Sequence, residues 1–212
     1  MLTAHTRHNI SLLLLALNLI FLIVGFAGAE GDIAWTYLKY ENTALNLEQK
    51  YGMLALQQRA KIGGTMNSKT FQYNTEDCVN THVCTKCYDA GATIMTMLSV
   101  GVITTMFAFG IIWFRKRDGG KNANNRCWKR FLGTCSCAIT ALVGFVSWGL
   151  WIGGCHEEIL AYAKNNNLLY KDDYKLNAGF AMAFLVMVFS GLAALNEHFI
   201  SQDTSLVAHT AV

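Results

Sequence analysis

The chain has 212 residues, of which 53% are hydrophobic and 15% are charged, and its formal net charge at pH 7 is +3. These averages fit a soluble domain as well as a membrane protein, but the apolar residues lie in four separate blocks, which excludes a soluble domain with one mixed core. The excess positive charge is concentrated in one short segment between two blocks, which argues against a nucleic-acid partner.

The first apolar block, Ile10 to Ala29, follows a polar amino-terminal segment of residues 1–9. It is long enough to cross a hydrocarbon core of ~30 Å as a helix. Arg7 and the small residues at the end of the block also resemble a cleavable signal peptide, but the apolar run is longer than the usual ~7–15 residues. We therefore predict a retained first membrane helix, in which Asn18 forms an interhelical hydrogen bond.

Residues 30–89 form the only interhelical loop that is large enough to fold outside the membrane. Trp35 to Tyr40 alternates as a strand does, and Lys69 to Asn74 has the composition of a second short strand. Between them, the segment from Thr43 to Lys61 is predicted to be an amphipathic helix that ends at Gly63-Gly64. The apolar residues that carry this helix prediction are spaced by three and four; they are Leu47, Tyr51, Leu54 and Ala55.

Four cysteines fall in the predicted external loops: Cys78, Cys84 and Cys87 before the second block, and Cys155 after the third. Cysteines that face an oxidising compartment usually pair, and four of them allow three connectivities. The favoured interpretation is a structural pair of disulfides that ties the first loop to the membrane surface and includes Cys155.

Two alternatives remain for the same cluster. Cys84 and Cys87 form a Cys-x-x-Cys pair with Lys86 between them, which could exchange a disulfide as in membrane oxidoreductases. Cys78, His82, Cys84 and Cys87 could also bind zinc, although their spacing matches none of the usual zinc fingers.

The second block, Ala90 to Phe114, and the third, Phe131 to Gly154, enclose a basic loop of residues 115–130. This loop contains seven of the 17 lysines and arginines and one acidic residue. Because short cytoplasmic loops are enriched in Lys and Arg, we predict that it faces the cytoplasm and that both termini do as well. Cys127 and Cys135 lie near its end, where palmitoylation is plausible and burial in a helix interface is the alternative.

A short second external loop of residues 155–175 follows, in which Glu157 to Lys164 is predicted to continue the third helix and His156-Glu157-Glu158 to be a solvated helix start. The fourth block is Leu176 to Leu195, and the tail of residues 196–212 is predicted to be a disordered cytoplasmic end.

Small residues in the third and fourth blocks predict close helix packing, within one subunit rather than at a dimer interface. These residues are Gly149, Gly153, Gly179 and Ala183. Tryptophans near the ends of the blocks are expected to form an aromatic belt. They are Trp113, Trp128, Trp148 and Trp151.

The layout, with a larger first external loop that holds paired cysteines, resembles the claudin and peripheral myelin superfamily. The run from Tyr174 to Ala181 is similar to the Tyr-Gly-Ala-Gly-Phe run that enters the fourth helix in amastins, surface glycoproteins of kinetoplastid parasites. Phe21 to Gly25 and the closely spaced cysteines extend the likeness. The resemblance implies a cell-surface protein without known catalysis, in membrane organisation, adhesion or host interaction.

The sequence thus predicts an all-α membrane protein, a four-transmembrane-helix bundle with a disulfide-tied extracellular loop domain of mixed structure. It predicts a non-enzymatic surface protein of the plasma membrane or an endomembrane, with no cofactor or metal. Expected partners are the lipid bilayer and lateral copies or other membrane proteins. The alternatives are a thiol-disulfide oxidoreductase that uses Cys84 and Cys87, and an accessory subunit of a larger complex. The apolar blocks contain no ionisable residue, which argues against ion transport.

Overall fold

The computed structural model describes residues 4–30, 33–41, 45–62, 65–74, 78, 81–117, 124–166 and 174–209. It is mostly helical, with four long apolar helices and a small antiparallel sheet. The helices are α1 (Ala4–Ala27), α2 (Thr81–Arg117), α3 (Asn124–Trp151), α4 (Glu157–Asn165) and α5 (Ala178–His209). A π-helical turn, Ile152–His156, joins α3 directly to α4, so this pair forms one long helical segment.

Four helical segments are long and apolar enough to cross a membrane. They are Thr6–Ala27, His82–Arg117, Phe131–Asn165 and Ala178–Ile200. The predicted extension of the third helix is confirmed, because α4 covers Glu157 to Lys164 and Asn166 caps its end.

The predicted disorder of the tail is wrong over its described part, because α5 continues to His209. The reason is visible in the burial of α5, whose buried residues recur at spacings of three and four on one face. They are Ala183, Val186, Ser190, Ala193, Glu197 and Ile200. The buried face therefore passes the end of the fourth apolar block and includes Glu197.

Five strands form one sheet in the order β4-β3-β2-β1-β5, with every neighbouring pair antiparallel. The strands are β1 (Thr36–Glu41), β2 (Leu45–Tyr51), β3 (Ala55–Ile62), β4 (Thr65–Gln72) and β5 (Tyr174–Leu176). The predicted strand at Trp35 to Tyr40 is confirmed as β1. The predicted strand at Lys69 is the second half of β4, which begins earlier and ends before Tyr73.

The predicted helix over Thr43 to Lys61 is wrong, because this segment holds β2, a short turn and β3. Leu47 and Tyr51 are buried in β2 with Gln49 between them, while Glu48 and Lys50 are more exposed. Residues i, i+2 and i+4 of a strand lie on the same face, and residues i and i+4 of a helix also share a face. The four-residue spacing of Leu47 and Tyr51 is therefore compatible with both structures. The predicted helix end, Gly63-Gly64, lies outside the described residues.

The chain divides into two compact units. The helical unit comprises Met1–Leu22, Ser99–Phe145 and Leu185–Val212, and the sheet unit comprises Ile23–Leu98 and Val146–Phe184. In the helical unit, α1, α2, α3 and α5 all contribute to one apolar core. Its buried members are Leu12, Leu15, Ala108, Ile112, Cys137 and Ala193.

Candidate functional site

Trp35 is the centre of the sheet unit, where the end of α1, the start of β1 and the start of α5 meet. Its side chain is fully buried. Its backbone N–H donates to Tyr51 O at 2.8 Å, and its carbonyl accepts from Asn177 N at 3.1 Å. A Cβ at Gly28 would lie 2.8 Å from the indole nitrogen, and one at Gly179 would overlap the ring. Glycine is therefore required at both positions for the indole to fit.

A buried polar network lies beside Trp35. The Trp151 Nε1–H donates to Thr36 Oγ1 at 3.0 Å, and the two indole centroids are 5.3 Å apart. Thr36 Oγ1 also lies 3.0 Å from His156 Nδ1. Because the Thr36 oxygen accepts from Trp151, its own proton is free to be donated to Nδ1. This arrangement favours the histidine tautomer that is protonated on Nε2.

Two sequence predictions fail in this network, for the same reason. Trp151 was expected in an aromatic belt and His156 at a solvated helix start, but both are buried. The π-helical turn widens the helix and buries Cys155 and His156 together. Of the other predicted belt residues, Trp113 and Trp128 are exposed, and Trp148 packs against Phe180.

The four predicted external cysteines form two disulfides, Cys78–Cys84 and Cys87–Cys155. The second links α2 to the π-helical turn across 68 residues of sequence. All four cysteines are buried. Cys84 and Cys87 are each bonded to another cysteine and not to one another, so the Cys-x-x-Cys pair is not a disulfide here.

The zinc alternative loses its ligands in this arrangement, because three of its four residues are disulfide-bonded and present no thiolate. The fourth, His82, lies with Nε2 3.5 Å from Glu158 Oε2 and so connects α2 to α4. Within the described ranges, no group of three or more His, Cys, Asp and Glu side chains could hold a metal ion.

Strand β4 lies at the edge of the sheet and is hydrogen-bonded to β3 along one side. No other described strand pairs with its free edge. All of its residues are exposed except Phe71, which is half-buried, and Met66 is 67% exposed. An uncovered strand of this length presents a row of backbone donors and acceptors to which another strand can bind.

The predicted lipidation residues lie on α3. Cys135 is a free, half-buried thiol, and the side chain of Cys127 lies outside the described part of the chain. Cys137, on the same helix, is free and buried in the apolar core.

The predicted packing glycines divide into two pairs. Gly179 and Ala183 are buried in the sheet unit. Gly149 and Gly153 are exposed, and apart from the adjoining residues and backbone of their own helix, no described atom lies within 4 Å of a Cβ built on either residue. Gly149 and Gly153 were predicted to pack against another helix of the same subunit. Among the described residues they have no such neighbour, so this prediction is wrong for the second pair.

A buried ion cluster in the helical unit was missed by the sequence analysis. The Glu197 side chain is completely buried, with Oε2 bonded to Arg115 Nη1 and Oε1 3.3 Å from His8 Nδ1. Asn196 Nδ2 donates to Ser11 Oγ at 2.7 Å and also to the Arg7 carbonyl. These contacts join α1, α2 and α5. The sequence contains one signal for this cluster. Glu197 lies seven residues after Ser190, so both residues share a face if the helix continues past the apolar block.

The chain matches no protein-family model and no curated protein. The resemblance to amastins and to claudin-like proteins therefore stays a prediction.

Proposed function

We propose that the protein is a non-enzymatic, multi-pass membrane protein whose external sheet binds the strand of a partner protein. The apolar outer surfaces of the long helices support the membrane part of this proposal. Each long helix presents large apolar side chains outward, such as Leu13 (61% exposed), Ile103 (68%), Leu142 (60%) and Leu195 (56%). Several buried residues are polar instead; they include Ser11, Asn18, Thr105, Thr140 and Ser190. Such a distribution is unfavourable in water and is tolerated in lipid.

Charge and cysteine chemistry support one orientation of the chain. The basic segment of residues 115–130 belongs in the cytoplasm, together with both termini. Disulfides form in an oxidising compartment, so the two pairs support a sheet that faces the outside of the cell or a lumen. The two criteria are independent and agree, and the host membrane is then the plasma membrane or an endomembrane.

The free edge of β4 is the observation that carries the proposed binding role. Natural sheets usually protect a long edge strand with prolines, bulges or several charged residues. Here β4 has one charged residue, Lys69, in eight positions. A partner strand that adds to this edge would gain main-chain hydrogen bonds, while alternate side chains such as Met66 would set specificity. Adhesion and host interaction, which the amastin resemblance implies, are roles of this kind.

Photo-crosslinking from the edge tests this role. A photoreactive residue at Ser68 should form adducts with a partner strand on intact cells, and one at Glu48, in the same cross-strand row but on central strand β2, should not. Ser68→Lys adds an edge charge and should abolish the adducts formed from a photoreactive residue at Met66, with stability changed by less than about 0.5 kcal/mol. Equal labelling from Ser68 and Glu48 would contradict the proposal.

A thiol-disulfide oxidoreductase receives less support. Exchange needs an accessible, stabilised thiolate. Cys87 and Cys155 are 0% exposed, and Cys84 is bonded to Cys78. An accessory-subunit role has one favourable observation, the open face at Gly149 and Gly153, onto which a neighbouring membrane helix could pack. Copurification of the wild type against Gly149→Leu would detect such a neighbour.

A further inference from the structure

Each helix of the helical unit carries a polar side chain near one level of the bundle. On α1 and α2, the Asn18 Nδ2–H donates to Thr105 Oγ1 at 3.2 Å. On α2 and α3, the Thr104 and Thr140 hydroxyls are 2.7 Å apart. Ser190 is the buried polar residue of α5 in the same part of the bundle. We call these five residues the polar layer.

The level of Ser190 follows from two contacts between α1 and α5. Asn196 bonds to Ser11 at one point, and Phe21 meets Phe189 with ring centroids 5.2 Å apart at another. These contacts show that the two helices are antiparallel. Asn18 lies seven residues beyond Ser11, and Ser190 lies six residues before Asn196. At 1.5 Å per residue these displacements are about 10.5 and about 9 Å, so Asn18 and Ser190 lie at nearly the same level.

Two oxygens of the polar layer have no hydrogen-bond partner among the described residues: Asn18 Oδ1 and Ser190 Oγ. Both residues are 0% exposed. Neighbouring hydroxyls have partners. In the 2.7 Å contact between Thr104 and Thr140 one hydroxyl donates to the other, and the accepting hydroxyl can donate to a carbonyl of its own helix, Val100 O at 2.9 Å for Thr104 or Ser136 O at 3.0 Å for Thr140. The amide oxygen is an acceptor and the serine hydroxyl is a donor, so one small molecule between them could satisfy both.

The surroundings restrict what this molecule can be. The apolar core of the unit, with Leu15 and Ala193, lies between the polar layer and Glu197 along the helices. No residue of the layer is ionisable, and Glu197 is already paired with Arg115. A cation would therefore remain an uncompensated charge in a low-dielectric interior, which is costly. A neutral ligand that both donates and accepts hydrogen bonds meets no such cost.

We propose that the polar layer is a binding site for an ordered water molecule that donates to Asn18 Oδ1 and accepts from the Ser190 hydroxyl. Buried waters of this kind typically make two to four hydrogen bonds to otherwise unpaired polar groups. The water would connect α5 to the pair formed by Asn18 and Thr105. The water would thus join α5 to α1 and α2 at the level where the Thr104–Thr140 contact joins α2 to α3.

Three measurements on the full chain test this site. A structure in lipid that resolves water should contain density about 2.7–3.2 Å from both oxygens. A direct Asn18–Ser190 bond, or a Ser190 bond to Val186 O without such density, would overturn the proposal. In a double-mutant cycle, Ser190→Ala should change the unfolding equilibrium constant at least threefold less in an Asn18→Leu background than in wild type. Additive effects would also overturn it. Finally, replacing sodium by choline at constant ionic strength should leave Tm unchanged, and a sodium-dependent rise in Tm would instead identify a monovalent cation site.

Discussion

Replacing Glu197 by glutamine should destabilise the protein strongly, although the residue lies beyond the fourth apolar block of the sequence. The substitution preserves the shape of the side chain and removes its charge. It would leave the Arg115 guanidinium facing a neutral amide, with the Arg115 side chain only 9% exposed. Removing one partner of a buried ion pair typically costs about 3–5 kcal/mol.

The lower end of that range applies here. Arg115 is in the last turn of α2, so its long side chain can extend the unpaired charge toward water at the end of the helix. A loss of about 3 kcal/mol changes the unfolding equilibrium more than 100-fold, since each 1.4 kcal/mol is about a factor of ten. For a chain of this size it lowers Tm by roughly 6–12 °C. Thermal unfolding in a mild detergent or in bicelles measures both quantities.

Two variants separate the ion pair from a general effect of charge. Arg117→Gln removes an exposed cation two residues after Arg115 and should change stability by less than about 0.5 kcal/mol. Arg115→Met combined with Glu197→Met removes both charges and should recover most of the loss, because apolar replacement of a whole buried pair is often neutral. If Glu197→Gln costs no more than Arg117→Gln, the carboxylate does not hold the helices together as argued.

Three further predictions concern the sheet unit. Cys87→Ser with Cys155→Ser should cost about 2–4 kcal/mol, and peptide mapping without reduction should recover the wild-type pair; a reshuffled pair would contradict the observed connectivity. Gly179→Ala should cost about 1–3 kcal/mol through overpacking against the Trp35 indole, whereas Gly191→Ala, with open space around it, should be neutral or stabilising. Equal effects would contradict the close contact between Gly179 and Trp35. Burial raises the pKa of Tyr51 above its ordinary 10.0. The stability that the neutral phenol contributes is therefore complete below pH ~10 and is lost as the pH rises through the folded-state pKa. In Tyr51→Phe, the slope of the unfolding free energy against pH in alkali should be smaller by the equivalent of about one proton.

The sequence predicted those parts of the fold that depend on long, uniform segments. Four apolar blocks became four long helices, because about 20 apolar residues in a row have few other stable conformations. The alternating segment at Trp35 became β1. The β2–β3 hairpin was missed since its buried residues, Leu47 and Tyr51, are four apart, and Gly52 between strands was read as part of a helix. A pattern shared by two periodicities cannot separate them over so short a range.

The candidate site depended on contacts that no local pattern encodes. Thr36 and His156 bond across 120 residues of sequence, and Cys87 and Cys155 across 68. The sequence limited the external cysteines to three pairings, and only the proximity of α2 to the π-helical turn selects one. Glu197 is different, because a local pattern does predict its position. It lies two helical turns after Ser190 on the same face, but the predicted helix ended with the apolar block.

The helices and the sheet expose different kinds of side chain. On α1, Ile20 is 53% exposed while Asn18, two residues earlier, is completely buried. On β2 the order is reversed, because Leu47 is buried and the charged pair Glu48 and Lys50 lies on the opposite face, with 3.7 Å between Oε1 and Nζ. Burying polar groups and exposing apolar ones gains nothing in water, so the helices are suited to lipid. The alternation in β2 is that of a sheet with one face in water. The strand-binding role proposed for β4 concerns this sheet and not the lipid-suited surfaces of the helices.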